Sequence, residues 1–186
     1  MSTPFLDLFS LSLCLRILPL YDKLCDSNAR KGLNSMNKVI CFDMDGTLAD
    51  FYNVPFWLDA IAHEETYPYR HAQPLIPFDL LAQLVSCGYK LTIISWNAKG
   101  ASKEYSKAVR REKLKWIERN YGNLFSEIHI VKYGTLKHGT IHEDKATLID
   151  DDQDVRDRWK KGDTIDADDT DALIEWIYNL IESEGL

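Results

Sequence analysis

KVICFDMDGTLAD, residues 38–50, is the stretch whose reading decides the fold. Val39, Ile40, Cys41 and Phe42 form a short apolar run suited to a strand buried on both faces. The run ends in Asp43, Met44, Asp45, Gly46 and Thr47, where two acids alternate before a glycine. Acids one residue apart at a strand end can reach one small volume, one through its side chain and the other partly through its carbonyl. Gly46 lets the backbone turn sharply there without a Cβ penalty. Open α/β sheets build their sites in the crevice beyond the carboxyl ends of such strands. An EF-hand calcium loop is excluded, because its twelfth position would be Val54, where a bidentate glutamate is needed, and its fifth, Thr47, offers only a hydroxyl. An Asp-rich surface turn would not follow four consecutive apolar residues.

The 186 residues are enough for one domain with a sizeable core, and 45% hydrophobic with 27% charged residues is a globular composition. A net charge of −7 gives no electrostatic reason to expect a nucleic-acid polymer as partner. Cys14, Cys25, Cys41 and Cys87 form no C-x-x-C pair and no metal-ligand spacing with the five histidines, so a reduced, cytoplasmic protein is expected. Residues 1–35 read as an N-terminal extension. Phe5 to Leu20 is apolar but carries Asp7 and Arg16 and is shorter than the roughly 20 residues of a spanning helix. Its spacing fits an amphipathic helix; equally, the functional fold can begin at Met36, giving a domain over 36–186.

After the acidic turn, helical spacing is expected within Phe51–Glu65, a proline-punctuated loop over Tyr67–Pro74, and a helix from Pro77 to Gly88. Only 52 residues separate Asp43 from Ser95, which leaves little room for a lid domain. Leu91–Ser95 reads as a second buried strand with Ser95 at its carboxyl end, where Trp96 and Asn97 could add backbone donors. Ser102–Tyr121 reads as a long helix stopped by Gly122. Arg110, Arg111, Lys113, Lys115 and Arg119 are expected on its solvated face, without a site role. Glu127–Val131 alternates as a third strand, with His129 structural, and a final helix follows Asp169 as cap.

Ala146–Asp150 is a further buried strand, ending in Asp150 and Asp151. Neighbouring acids on a strand point to opposite sides, so one is expected to meet a metal while the other orients a water behind it. Lys145 begins that strand and would lie about 16 Å from Asp150 at about 3.3 Å per residue. Lys137 instead follows the third strand through a loop containing Gly134 and can return to the carboxyl edge.

Taken in order, DMDGT, Ser95, Lys137 and the Asp150–Asp151 pair resemble the four motifs of the haloacid dehalogenase superfamily of phosphohydrolases, over Met36 to the C-terminus. The segment KLKWIERNYGNLFSEIHIVKYGTLKH, leading to LIDDD, resembles the 5′(3′)-deoxyribonucleotidase branch and the small hydrolases near it. The interval after Asp50 is shorter than the helical cap of those nucleotidases. The resemblance implies an α/β, Rossmann-like parallel sheet in the order 5-4-1-2-3 with helices on both faces and a minimal cap. It implies Mg²⁺ held by Asp43, the Asp45 carbonyl and Asp151, with Asp150 beside them. Asp43 is then the nucleophile, Asp45 the acid and base, and Ser95 and Lys137 hold the phosphoryl oxygens; Thr47, Trp96 and Asn97 are expected at the substrate. The expected activity is a Mg²⁺-dependent phosphatase acting on a nucleoside monophosphate or similar small phosphomonoester. Its alternatives are a phosphatase of polynucleotide ends or phosphoproteins, and a catalytically silent interaction protein.

Overall fold

The computed structural model describes residues 38–185. The expectations of an amphipathic helix before Leu20 and of a fold starting at Met36 lie outside the described residues. Five parallel strands form one sheet: β1 (Val39–Phe42), β2 (Lys90–Trp96), β3 (Phe125–Val131), β4 (Thr147–Asp150) and β5 (Thr164–Asp166). Their order is β3-β2-β1-β4-β5, the order the resemblance implies, read from the other edge. The helices are α1 (Trp57–Ala62), α2 (Tyr67–His71), α3 (Phe78–Ser86), α4 (Lys103–Tyr121), α5 (Gln153–Asp157) and α6 (Thr170–Ser183).

The period of two sorts β1 onto two cores. Ile40 and Phe42 join Leu91, Ile93 and Ile149 beneath α3, α4 and α6. Val39 and Cys41 join Ile94 and Leu148 against Val155 of α5, Trp159 and Ile141. Both faces are therefore covered, which is why the central strands read as continuous apolar runs. The edge strand β5 is short and half exposed.

The expected loop over Tyr67–Pro74 contains a one-turn helix, α2, because Pro68 takes a first-turn position where no amide donor is missed. The helix expected within Phe51–Glu65 is confined to α1, since Phe56 enters it in the left-handed region at φ 58° and residues 51–56 turn on themselves. The Trp116 indole donates to the Ala72 carbonyl at 2.7 Å and the Tyr121 hydroxyl to that of Ile76 at 2.8 Å. These buried bonds fasten the 72–77 segment to α4. The late acids act locally: Asp152 caps α5 and Asp169 caps α6 through backbone amides. Among the described residues no helix is long and apolar enough to cross a membrane.

Candidate active site

Strand register assembles the site. Phe42 pairs with Ile149, and the Asp43 amide continues that ladder to the Ile149 carbonyl at 2.8 Å, which sets Asp43 beside Asp150. On the other side Phe42 pairs with Ile93, so Ser95 stands one step beyond the level of Asp43. Past Asp43 the chain closes a tight turn, with the amides of Leu48 and Ala49 donating to the Met44 carbonyl and that of Gly46 to Ala49. Gly46 adopts φ +89°, and a Cβ there would stand 2.5 Å from Asp151 Oδ2 and 2.7 Å from Tyr52 Cε2. Only glycine lets Asp151 approach this turn.

Asp43, Asp150 and Asp151 each bring a carboxylate oxygen within 4.8 Å of the others. Sequence alternation placed the last two on opposite sides. The strand ends at Asp150, so the alternation stops there and Asp151 turns back toward Asp43. Asp150 is 1% exposed; its Oδ2 accepts from Lys137 Nζ at 2.7 Å and its Oδ1 from the Asp152 amide at 3.1 Å. Lys137, in a one-turn 3-10 helix over Lys137–Gly139, also donates to Asp43 Oδ1. Burial works against its charge, but Asp43 and Asp150 outweigh burial and hold the ammonium above its ordinary pKa. Lys145 is exposed in the loop before β4.

One ammonium does not neutralise three carboxylates. Burial, then the charge of Asp43, pushes Asp150 up to about 7 against the pull of Lys137. Burial, then Asp43 and Asp150, does the same to Asp151, also to about 7. Once all three acids are ionised they exceed Lys137 by two negative charges, and this surplus with the all-oxygen donor set fits a hard divalent cation such as Mg²⁺.

Asp45 shares its environment with a residue that motif reading missed. Lys113, expected in the solvated basic share of α4, has a fully buried side chain. Its ammonium donates to Asp45 Oδ2 at 2.5 Å, Ser95 Oγ at 2.8 Å and the Trp96 carbonyl at 2.8 Å. The signal was present: Lys113 falls four residues after Val109 and four before Ile117, inside the apolar stripe rather than opposite it. Burial raises the Asp45 carboxyl above the ordinary range, opposed by Lys113 and reinforced by Asp43.

The other expected contacts divide. Thr47 is buried and turns its hydroxyl to Asp151 Oδ1 at 3.4 Å, outside the lining of the cavity. Trp96 and Asn97 do line it, yet the Asn97 amide is already committed to the Val131 carbonyl at 2.7 Å and is no free donor. The cavity measures about 510 Å³. The acids, Ser95 and Lys137 form its floor, and Phe51, Tyr52, Trp57, Leu58 and Tyr69 form an aromatic and apolar wall. Phe51 is core, 2% exposed and 4.7 Å from the Tyr69 ring, whereas Tyr52 and Trp57 pack edge to face at 5.1 Å with free surface.

No family model and no curated protein sequence matches the chain. Among solved structures it is similar to D,D-heptose 1,7-bisphosphate phosphatase from Burkholderia thailandensis, at 11% identity and a TM-score of 0.49, over 77% of this chain and 98% of that one. At that degree of likeness the neighbour's substrate says nothing about this chain's.

Proposed function

We propose that the chain is a Mg²⁺-dependent phosphomonoester hydrolase of the haloacid dehalogenase type, acting through an aspartyl-phosphate. The observation that carries this reading is the convergence of Asp43, Asp150 and Asp151 at the carboxyl ends of β1 and β4, with Lys137 between Asp43 and Asp150. Asp43, the Asp45 carbonyl and Asp151 would hold the metal. Asp150, with one carboxylate oxygen on Lys137 and the other on the Asp152 amide, would set the geometry behind them. When bound, the cation offsets the negative charge of the phosphoryl group and of the acids around it.

A carboxylate oxygen of Asp43 attacks phosphorus while the bond to the leaving oxygen breaks. Asp45 gives its proton to that oxygen, a role for which a raised pKa keeps the proton available. In the second step Asp45, now a carboxylate, takes a proton from water as the water oxygen attacks phosphorus. The bond from Asp43 to phosphorus then breaks, returning both acids to their starting states and releasing phosphate. The Ser95 hydroxyl and the Lys137 ammonium bind the transferring oxygens throughout.

The favoured substrate is a nucleoside monophosphate. Supporting this, Tyr52 and Trp57 keep free aromatic surface on a cavity whose floor is the acidic cluster. Phosphate release across nucleoside monophosphates, sugar phosphates and end-phosphorylated oligonucleotides, with Mg²⁺ and with chelator, tests both parts. Metal-dependent release, highest kcat/KM for a nucleotide, and a loss of about 1–3 kcal/mol of that preference in Trp57→Ala are expected. Equal kcat/KM for sugar and nucleotide phosphates would remove the nucleotide while leaving the phosphatase.

A further inference from the structure

The steps of phosphoryl transfer assign no task to Lys113, yet it is a fully buried cation at the site. An ammonium has three donors, and Lys113 directs them to three acceptors: Asp45 Oδ2, Ser95 Oγ and the Trp96 carbonyl. The Tyr69 ring covers it at 5.3 Å from the nitrogen to the centroid, on the aromatic side of the cavity. Each bond has a consequence for its partner.

Ser95 Oγ accepts from the ammonium, so its own proton must point elsewhere. Among the described residues that hydroxyl donates to no protein atom, and Ser95 lines the cavity. Its proton is thereby presented to whatever occupies the floor beside Asp43. At Asp45 the ammonium holds one oxygen, and the other, Oδ1, is buried without a partner. The Trp96 carbonyl fixes the ammonium to the end of β2, so that Ser95 and Asp45 are located by the strand rather than by their own rotamers.

Resting on the phosphatase reading, we propose that Lys113 is a positioning residue, aiming the Ser95 proton at the transferring phosphoryl group and anchoring the Asp45 carboxyl beside it through Oδ2. It acts through Ser95 and Asp45 and touches no substrate. A lysine that merely tied α4 to β2 would lower stability without favouring one partner over another.

A double-mutant cycle separates the two, measured with Mg²⁺ on an aryl phosphate by Lys113→Met, Ser95→Ala and the combination. Lys113→Met should lower kcat on the order of 10²-fold, as misplacement of catalytic groups does, with KM little changed. In the Ser95→Ala background the same substitution should cost about tenfold less, because one of the groups it aims is already gone. Lys113→Gln, which keeps a short donor, provides the second variant if methionine does not fold there, and it should show the same shrinkage. Equal fold-losses in both backgrounds would overturn the positioning role and leave the phosphatase reading standing. Failure of both variants to fold would assign Lys113 to the fold and overturn it equally. A wild-type protein without metal-dependent turnover would defeat the phosphatase reading, and this proposal with it.

Discussion

Two groups of charges at the ends of this sheet each set one lysine between two carboxylates, in opposite surroundings. At the carboxyl edge Lys137 stands between Asp43 and Asp150; at the amino edge Lys90 stands between Glu127 and Glu143. The side chains of Lys137 and Asp150 are each 2% exposed, whereas those of Lys90 and Glu127 are 34% and 33% exposed. In the first group burial pushes Asp150 up to about 7 despite its lysine. In the second, hydrogen bonds from Lys90 hold both glutamates below their ordinary range. One lysine and two carboxylates stabilise a folded protein where water screens and solvates them. The same set, buried beside a third carboxylate, works against it. That strain is what a site for a cation and a phosphoryl group would use, and the amino edge has no such use for its charges.

The comparison is broken most decisively at Asp43. Asp43→Asn is isosteric and keeps a partner for Lys137, so the protein should fold, while Mg²⁺-dependent turnover should fall by several orders of magnitude. A folded variant with unchanged metal-dependent turnover would reduce the carboxyl edge to a second structural ion group. Next comes Lys137→Met, which leaves Asp43 and Asp150 facing each other without a counter-charge. Removing one partner of a buried pair costs about 3–5 kcal/mol, read as a lower denaturant midpoint in chelator. Turnover should fall about 10²–10³-fold, as for loss of a transition-state donor.

The pH slope sharpens the same contrast. A carboxyl whose folded pKa exceeds its unfolded value binds its proton more tightly when folded, so its stabilising effect is full below the unfolded pKa and fades as pH rises through the folded one. For Asp150 and Asp151 that window runs from 3.8 to about 7. In chelator the thermal midpoint should be higher at about pH 5 than at about pH 8, and Asp151→Asn should flatten that fall. Mg²⁺ should raise the midpoint more at the higher pH, where the acids are charged. A midpoint that rises across this range in chelator, with no response to Mg²⁺, would mean the cluster carries no unrelieved charge.

How much of this was legible in the sequence follows from where each residue's constraint lies. The strands and acids at their ends were readable, because apolar runs and the turn after Asp43 are local patterns. Lys137 was reached by a length argument, since one residue near the end of a strand cannot lie at both edges. Lys113 was not, because a lysine among Arg110, Arg111 and Lys115 is ordinary until its phase on the helix is weighed against Val109 and Ile117. The resemblance put Asp151 with Asp43, but strand alternation did not show that Asp150 and Asp151 both reach it: that depends on where β4 stops and on the space left by Gly46, and neither is a property of one residue type. The short α2 escaped because five residues carry too little periodicity to outweigh a proline that turned out to start the helix.

The smallest effect belongs to the amino edge. Lys90→Met removes the cation shared by Glu127 and Glu143, but both glutamates reach water and Glu127 keeps His129 Nε2 at 2.9 Å. A partly exposed group of this kind contributes about 0–1 kcal/mol, so the denaturant midpoint should move little and kcat/KM should not move at all. The sign of its pH dependence is opposite to that of the carboxyl edge. Lys90 lowers the pKa of both glutamates, so their contribution is present above the ordinary value of 4.5 and is lost as pH falls through their folded values. Lys90→Met should therefore flatten the acid limb of the stability curve and leave the fall between about pH 5 and 8 untouched. A loss as large as that in Lys137→Met, or a change in turnover, would show that the two edges are coupled through β2 and that burial is not what separates them.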